Sequence, residues 1–308
     1  MESVPYLGQT LSRWRVGAST FLALPELGAR LVNWNVTHAD GTIRDVIYWP
    51  ELSTLDEVAR VRGGNPILFP FNARTFHQGA IHQWKDPEGR VRPMPMHGIA
   101  RQGKFRVTHS HELGFTAVLE PDAAAHEAYP YAYEFAVTYR FSPTGLSCEF
   151  SLENRDQRPI PWSAGHHFYF TLPWHKGLHR RDYRLHVPAR KHWRHAADGK
   201  LVNFAEMKGV VEADFDDPRL LDCIFTALKS SEVRFGPRSG EEDVVVRVGE
   251  EPIPDEWATV VSWTESPESP FFCVEPWMGA PNSPTHGKGL RWVEPGATDL
   301  WTCEVALA

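Results

Sequence analysis

The sequence predicts an all-β protein, a large and mostly antiparallel β-sandwich that occupies residues 1–308 as a single domain. Three observations lead there. Phe135, Val137, Tyr139 and Phe141 alternate with small or polar residues, Ser142-Pro143-Thr144-Gly145 supplies a turn, and Leu146, Cys148, Phe150 and Leu152 resume the alternation, which is the pattern of a hairpin with one buried face. The chain carries 25 prolines and 23 glycines, a density of breakers that leaves little room for long helices. No fixed-period repeat is present, which argues against a propeller or solenoid, and no Ser/Gly linker or charge block divides the chain.

The remaining elements follow in order. Phe21 to Val36 alternates and is broken by Pro25 and Gly28, so two strands joined by a tight turn are expected. Glu51 to Val61 is the best helical candidate. Ala164 to Pro173, AGHHFYFTLP, reads as a short aromatic strand in which His167, Tyr169 and Thr171 share one face and His166, Phe168 and Phe170 the other. One imidazole then lies among polar groups and its neighbour among phenyl rings, which selects His167 for chemistry. Val244 to Val248 and Phe271 to Val274 add short apolar strands, the second ending in Glu275 beside Pro276 and Trp277.

Composition narrows the class of function. With 42% hydrophobic and 23% charged residues the chain has the make-up of a soluble globular protein, and a formal net charge of -7 argues against nucleic acid or an anionic membrane as the main partner. The basic clusters His179 to Arg184 and Arg190 to Arg194 read as solvated faces. MESVPYLGQT has neither a basic opening nor an apolar run, and nowhere do 18 apolar residues run together, so a cytoplasmic location is expected. Cys148, Cys223, Cys273 and Cys303 lie far apart with no C-x-x-C pair and are expected to be reduced core residues. The oligomeric state is not legible.

Three further stretches put polar groups where a sandwich does not need them. RGGNPILFPFNAR, Arg62 to Arg74, forces a loop around a buried Ile-Leu-Phe core and delivers Arg74 at its end. MHGIAR, Met96 to Arg101, sets His97 beside a glycine with Arg101 beyond it. FCVEPWM, Phe272 to Met278, places the Glu275 carboxylate in an apolar strand next to an indole, which is costly without partners or work.

Together with GHHFYFTLP these stretches resemble the aldose 1-epimerase (galactose mutarotase) family. The resemblance runs from LPELGARLVNW through GGNPILFPFNAR, HGIAR, GHHFYFTLP and VEPW to RWVEPGATDLWTCEVAL, and the HG-hydrophobic-AR form is closer to the branch that includes hexose-6-phosphate mutarotases. It implies a galactose mutarotase-like β-sandwich. By the same resemblance His167 matches the histidine of the H-x-Y-F pattern, His97 that of HG-x-AR, and Glu275 the glutamate of the EPW-like segment. Arg74 matches the arginine after the LFP loop, and Asp222 in LLDCIF an aspartate that binds sugar hydroxyls. Ala73 departs from the family, standing where a glycine usually precedes the arginine.

The residue types fit this chemistry independently. Interconverting the anomers of an aldose removes a proton from the anomeric hydroxyl while the ring oxygen gains one, a task for one base and one acid, each contributing about 10²–10⁴-fold. Glu275 is the expected base, His167 the acid, and His97 a hydrogen-bond partner near the ring oxygen; Trp277 and Tyr169 offer the sugar an aromatic surface, no metal or organic cofactor is needed, and the resemblance implies that Arg74, Arg101 and Asp222 bind the sugar or sugar phosphate. Two rivals come from other classes. Gly103 to His111, GKFRVTHSH, matches the opening of a cupin metal signature but lacks the glutamate that should follow, and His175 and His179 have ligand-like spacing across helix-breaking Pro173 and Gly177. A non-catalytic carbohydrate-binding sandwich needs the aromatic platform and Arg74 without the acid–base pair.

Overall fold

The computed structural model describes residues 1–240 and 242–308. The hairpin read from alternation forms over Tyr133–Ser142 and Gly145–Asn154, with Ser142 paired to Gly145 and every second residue buried along both strands. Gly145–Asn154 then pairs with the closing strand Thr298–Leu307, which pairs on its other side with Val244–Val248. These strands are the middle of a nine-stranded antiparallel sheet. The other large sheet has thirteen strands, and its interior runs from Ile43–Ile47 through Phe168–Thr171, Phe271–Trp277 and Thr259–Trp263 to Cys223–Leu228.

The two sheets close on one another because each strand of the larger sheet splits its side chains between two faces. Phe168, Phe170, Phe272 and Val274 point into the common core, where Phe170 meets Phe235 of the smaller sheet with centroids 4.8 Å apart. Each such phenyl ring contributes about 1.5–3 kcal/mol by leaving water. The alternate residues His167, Tyr169, Cys273 and Glu275 go to the outer face, where Phe168 opposite Val274 and Tyr169 opposite Cys273 set the register that brings His167 across from Glu275. The expected pair in the Phe21 to Val36 stretch forms as Ser19–Leu24 and Arg30–Thr37. All four cysteines are free and buried. No described helix is long and apolar enough to cross a membrane.

Four expectations fail in detail. Glu51 to Val61 is not a helix; only Val58–Arg60 forms a single 3-10 turn, and the fully buried Arg30 guanidinium pins the end of the segment by donating to the carbonyls of Val58, Val61 and Gly63 at 2.6, 2.6 and 2.7 Å. The strand expected to stop at Val274 continues as Phe271–Trp277, so Glu275 sits within it, opposite Val261, and not at its end. The His-His strand is interrupted at His167, between Gly165–His166 and Phe168–Thr171. The basic clusters are only partly solvated, since Arg180 is buried and donates to the carbonyls of Ser266, Ser269 and Phe271 and to the Thr264 hydroxyl. Two short helices, Ala123–Ala128 and Ser283–His286, were not anticipated; Asp122 caps the first by accepting from the Ala125 amide.

Candidate active site

On the outer face of the larger sheet lies a cavity of about 890 Å³, and Arg74, His97, Arg101, His167, Asp222 and Glu275 all line it. Residues dispersed through the chain are thus gathered on one concave surface. Its walls also include Tyr169 and Trp277, the aromatic pair expected there, and Arg62, Arg194, His195 and Trp263, which motif reading either missed or assigned elsewhere. Arg194 in particular belongs to a cluster read as solvated, yet its guanidinium stacks on Phe204 at 4.0 Å and donates to the Arg219 carbonyl at the cavity wall.

Two loops fix the His97 corner. Ala73 and His97 both adopt left-handed backbone, with φ of 55° and 65°. The position before Arg74 therefore demands the conformation that glycine takes at no cost, and alanine takes it here under strain. The loops are tied by reciprocal bonds: the His97 amide donates to the Ala73 carbonyl at 2.7 Å, and the Ala73 amide donates to His97 Nδ1 at 3.2 Å. That second bond assigns the tautomer, leaving the proton on Nε2 as a donor. Gly98 is obligatory, because a Cβ there would collide with the Phe69 carbonyl.

His167 and Glu275 form the floor. His167 Nε2 lies 3.5 Å from Glu275 Oε2, looser than a normal hydrogen bond. The imidazole stacks on Tyr169, with centroids 4.7 Å apart and planes 9° apart, and its own amide donates to Asn65 Oδ1 at 3.1 Å. Glu275 is 2% exposed, and its Oε2, like His167 Nδ1 and Arg101 Nε, has no hydrogen-bond partner among the described residues. Such unmet polar capacity in a cavity suits a ligand rich in hydroxyls.

Electrostatics set the resting state of the pair. Burial, and next the Asp222 carboxylate, push the Glu275 carboxyl well above the usual range, while burial followed by the charges of Arg101 and Arg30 lowers His167 to about 3. Burial thus favours the proton on Glu275 over His167, where the residue types alone suggest an imidazolium facing a carboxylate. Burial also lowers His97 and raises Asp222, the latter opposed by Arg194 and Arg74. Asp222 holds its place on the wall with a left-handed φ of 53°. Arg30 is lowered to about 10 by burial and grips the segment bearing Arg60 and Arg62; Arg62 lies 5.3 Å over Trp263 and is ion-paired with Glu265.

The metal-binding rival finds no support at its own histidines. His109 and His111 lie on the exposed end of the edge strand Lys104–His111, and among the described residues only His167, Cys273 and Glu275 bring three potential ligands together.

Comparison with known proteins extends the picture. Residues 14–294 match the family model described as aldose 1-epimerase. The chromosomal LacX protein of Lactococcus lactis subsp. lactis is 25% identical over 243 residues, covering 74% of this chain and 78% of its own. The Slr1438 protein of Synechocystis sp. PCC 6803 superposes with a TM-score of 0.79 at 22% identity, over 100% of this chain and 99% of that one. A galactose mutarotase related enzyme from Lactobacillus acidophilus gives 0.77 at 18%, over 97% of each chain.

Proposed function

The chain belongs to the aldose 1-epimerase family, and from that premise we propose that it interconverts the α and β anomers of a hexose or hexose 6-phosphate by acid–base ring opening and closure. The observation that carries the proposal is the facing of His167 Nε2 and Glu275 Oε2 at 3.5 Å on the floor of a cavity that His97, Arg74, Arg101 and Asp222 also line.

In this reading Glu275 takes the proton of the anomeric hydroxyl and His167 delivers one to the ring oxygen. Burial favours the proton on Glu275, so the reactive tautomer, carboxylate facing imidazolium, forms when the sugar's hydroxyls donate to the carboxylate. The pair carries one proton in either tautomer. Ring opening moves it from His167 to Glu275, and after the aldehyde rotates, closure on its other face moves it back. Asp222 accepts from sugar hydroxyls on the wall, and Trp277 and Tyr169 offer the apolar ring face a surface.

Support for a phosphorylated substrate comes from Arg74 and Arg101, which line the cavity without a carboxylate partner among the described residues. Planar guanidinium forks bind two phosphate oxygens at once. Anomer exchange followed by NMR across free hexoses and their 6-phosphates tests both levels. Enzyme-dependent exchange is expected with a preference in kcat/KM for the phosphate, and Arg74→Ala or Arg101→Ala should lose that preference at a cost of about 1.5–3 kcal/mol each. Equal rates on both sugars would leave the epimerase and remove the phosphate; no exchange on any sugar would favour a carbohydrate-binding sandwich.

A further inference from the structure

We propose that His167, Cys273 and Glu275 form a site for a soft divalent cation of the Zn²⁺ class, and that filling it stops the sugar chemistry. The binding half of this inference stands on geometry alone. Its inhibitory half rests on the assignment of His167 and Glu275 as the proton pair.

Cys273 and Glu275 are two residues apart on Phe271–Trp277 and therefore share a face, and the register sets His167 across from Glu275. One ligand atom from each of the three lies within 4.8 Å of the others. Metal–ligand distances of about 2.0–2.3 Å in a tetrahedron put ligand atoms roughly 3.3–3.8 Å apart. His167 Nε2 and Glu275 Oε2, at 3.5 Å, already stand at that spacing, so only the thiol has to draw in, and by no more than about 1 Å.

The surroundings favour a cation. Glu275 Oε2 and His167 Nδ1 are buried without a protein partner, and Cys273 lies wholly inside, in a cluster with Tyr169 and Phe271. A bound cation would compensate the buried carboxylate, and the thiol and carboxyl protons would leave to solvent as it binds. Because His167 and Glu275 also line the cavity, the fourth position opens towards it and water can fill it. A thiolate with an imidazole and one carboxylate selects Zn²⁺ or Cd²⁺ over Mg²⁺ and Ca²⁺. With both proton carriers held as ligands, neither can exchange a proton with a sugar.

The test strips the full chain with chelator and titrates it with Cd²⁺, Zn²⁺ and Mg²⁺. Wild type should take up one equivalent of Cd²⁺ with a thiolate-to-metal charge-transfer band in the ultraviolet, and Zn²⁺ should abolish anomer exchange until EDTA restores it. Mg²⁺ should do neither. Cys273→Ser and Cys273→Ala should keep metal-free activity, lose the band, and weaken Zn²⁺ inhibition by more than about tenfold. Two variants guard against one misfolding, and Glu275→Gln, which keeps the thiol, should weaken Cd²⁺ binding on its own. No band in wild type, or unchanged Zn²⁺ affinity in both Cys273 variants, overturns the site. A band without inhibition overturns the inhibitory half and the proton-pair assignment with it, while the metal site stands.

Discussion

His166 and His167 are neighbours in one segment, both buried, both lowered to about 3 chiefly by desolvation, yet they occupy opposite worlds. His166 is packed among Phe150, Phe168 and Trp301 at 4.4, 5.1 and 5.5 Å, and its Nδ1 meets the Asn65 amide at 3.0 Å. His167 faces the cavity, with Nδ1 unpartnered and a carboxyl opposite. Burial and pKa do not separate the two. What separates them is the company each face keeps, and Asn65 serves both by also accepting from the His167 amide.

The sharpest way to break this comparison is to remove each imidazole in turn. His167→Asn should lower kcat by about 10²–10⁴-fold, the range for a positioned acid or base, while leaving the urea midpoint near that of wild type. His166→Ala should do the reverse, costing about 2–4 kcal/mol in urea melts by emptying a packed site and orphaning Asn65, with kcat of the folded fraction largely retained. If His166→Ala proved as damaging to kcat in folded protein, the division of labour along the strand would be wrong.

A smaller, graded effect comes from acid. His166 and His167 at about 3, and His195 at about 4, all lie below the unfolded value of 6.5. Between those limits His166 and His195 make the unfolded chain bind more protons, so their contribution is full above about pH 6.5 and is lost as pH falls towards 3. The raised Glu275 offsets His167 over the upper part of the window, because the folded pair keeps one proton. The neutral imidazole that burial holds in the folded state must take up a proton as the chain unfolds in acid. Urea midpoints should fall steadily over this window, and less steeply in a His166→Phe variant; a pH-independent midpoint would contradict the buried neutral imidazoles.

Least in magnitude is the shape of the pH–rate profile. Because Glu275 is raised and His167 lowered, the one-proton state spans a wide range, from about 3 up to the elevated Glu275 value. The profile of kcat/KM should be a plateau broader than the reference values of about 4.3 and 6.5 imply, falling in acid as a second proton binds and in alkali as the last is lost. A narrow bell between those reference values would mean the pair is not desolvated.

The sequence was most legible where one physical rule governs. Period-two alternation marked the Tyr133–Ser142 and Gly145–Asn154 hairpin and sorted His166 from His167, because a pleated strand leaves no other choice of face. It failed where a distant partner decides. Glu51 to Val61 has helical composition, yet it is held in place by Arg30, far away in sequence, which donates to the Val58 and Val61 carbonyls where only one 3-10 turn forms. Glu275-Pro276 looks like the end of a strand, yet pairing with Thr259–Trp263 runs through Pro276 to Trp277. Arg194, His195 and Trp263 reach the cavity from ordinary-looking strand segments without a motif to mark them. Arg30 did leave a signal, a charge inside the apolar run of Arg30–Thr37, and so did Ala73, whose left-handed backbone explains the glycine expected before Arg74.

The central claim is that Glu275 and His167 exchange one proton with a sugar on this cavity floor, and the most direct measurement is anomer exchange by NMR in Glu275→Gln with its fold checked by thermal melting. The amide keeps the shape and removes the titrating proton. Exchange should fall by about 10²–10⁴-fold towards the uncatalysed rate, with a melting temperature equal to or above that of wild type, since a buried ionisable group has been removed. A folded Glu275→Gln protein that exchanges anomers within about twofold of wild type, well short of the loss expected for a positioned base, would contradict the account.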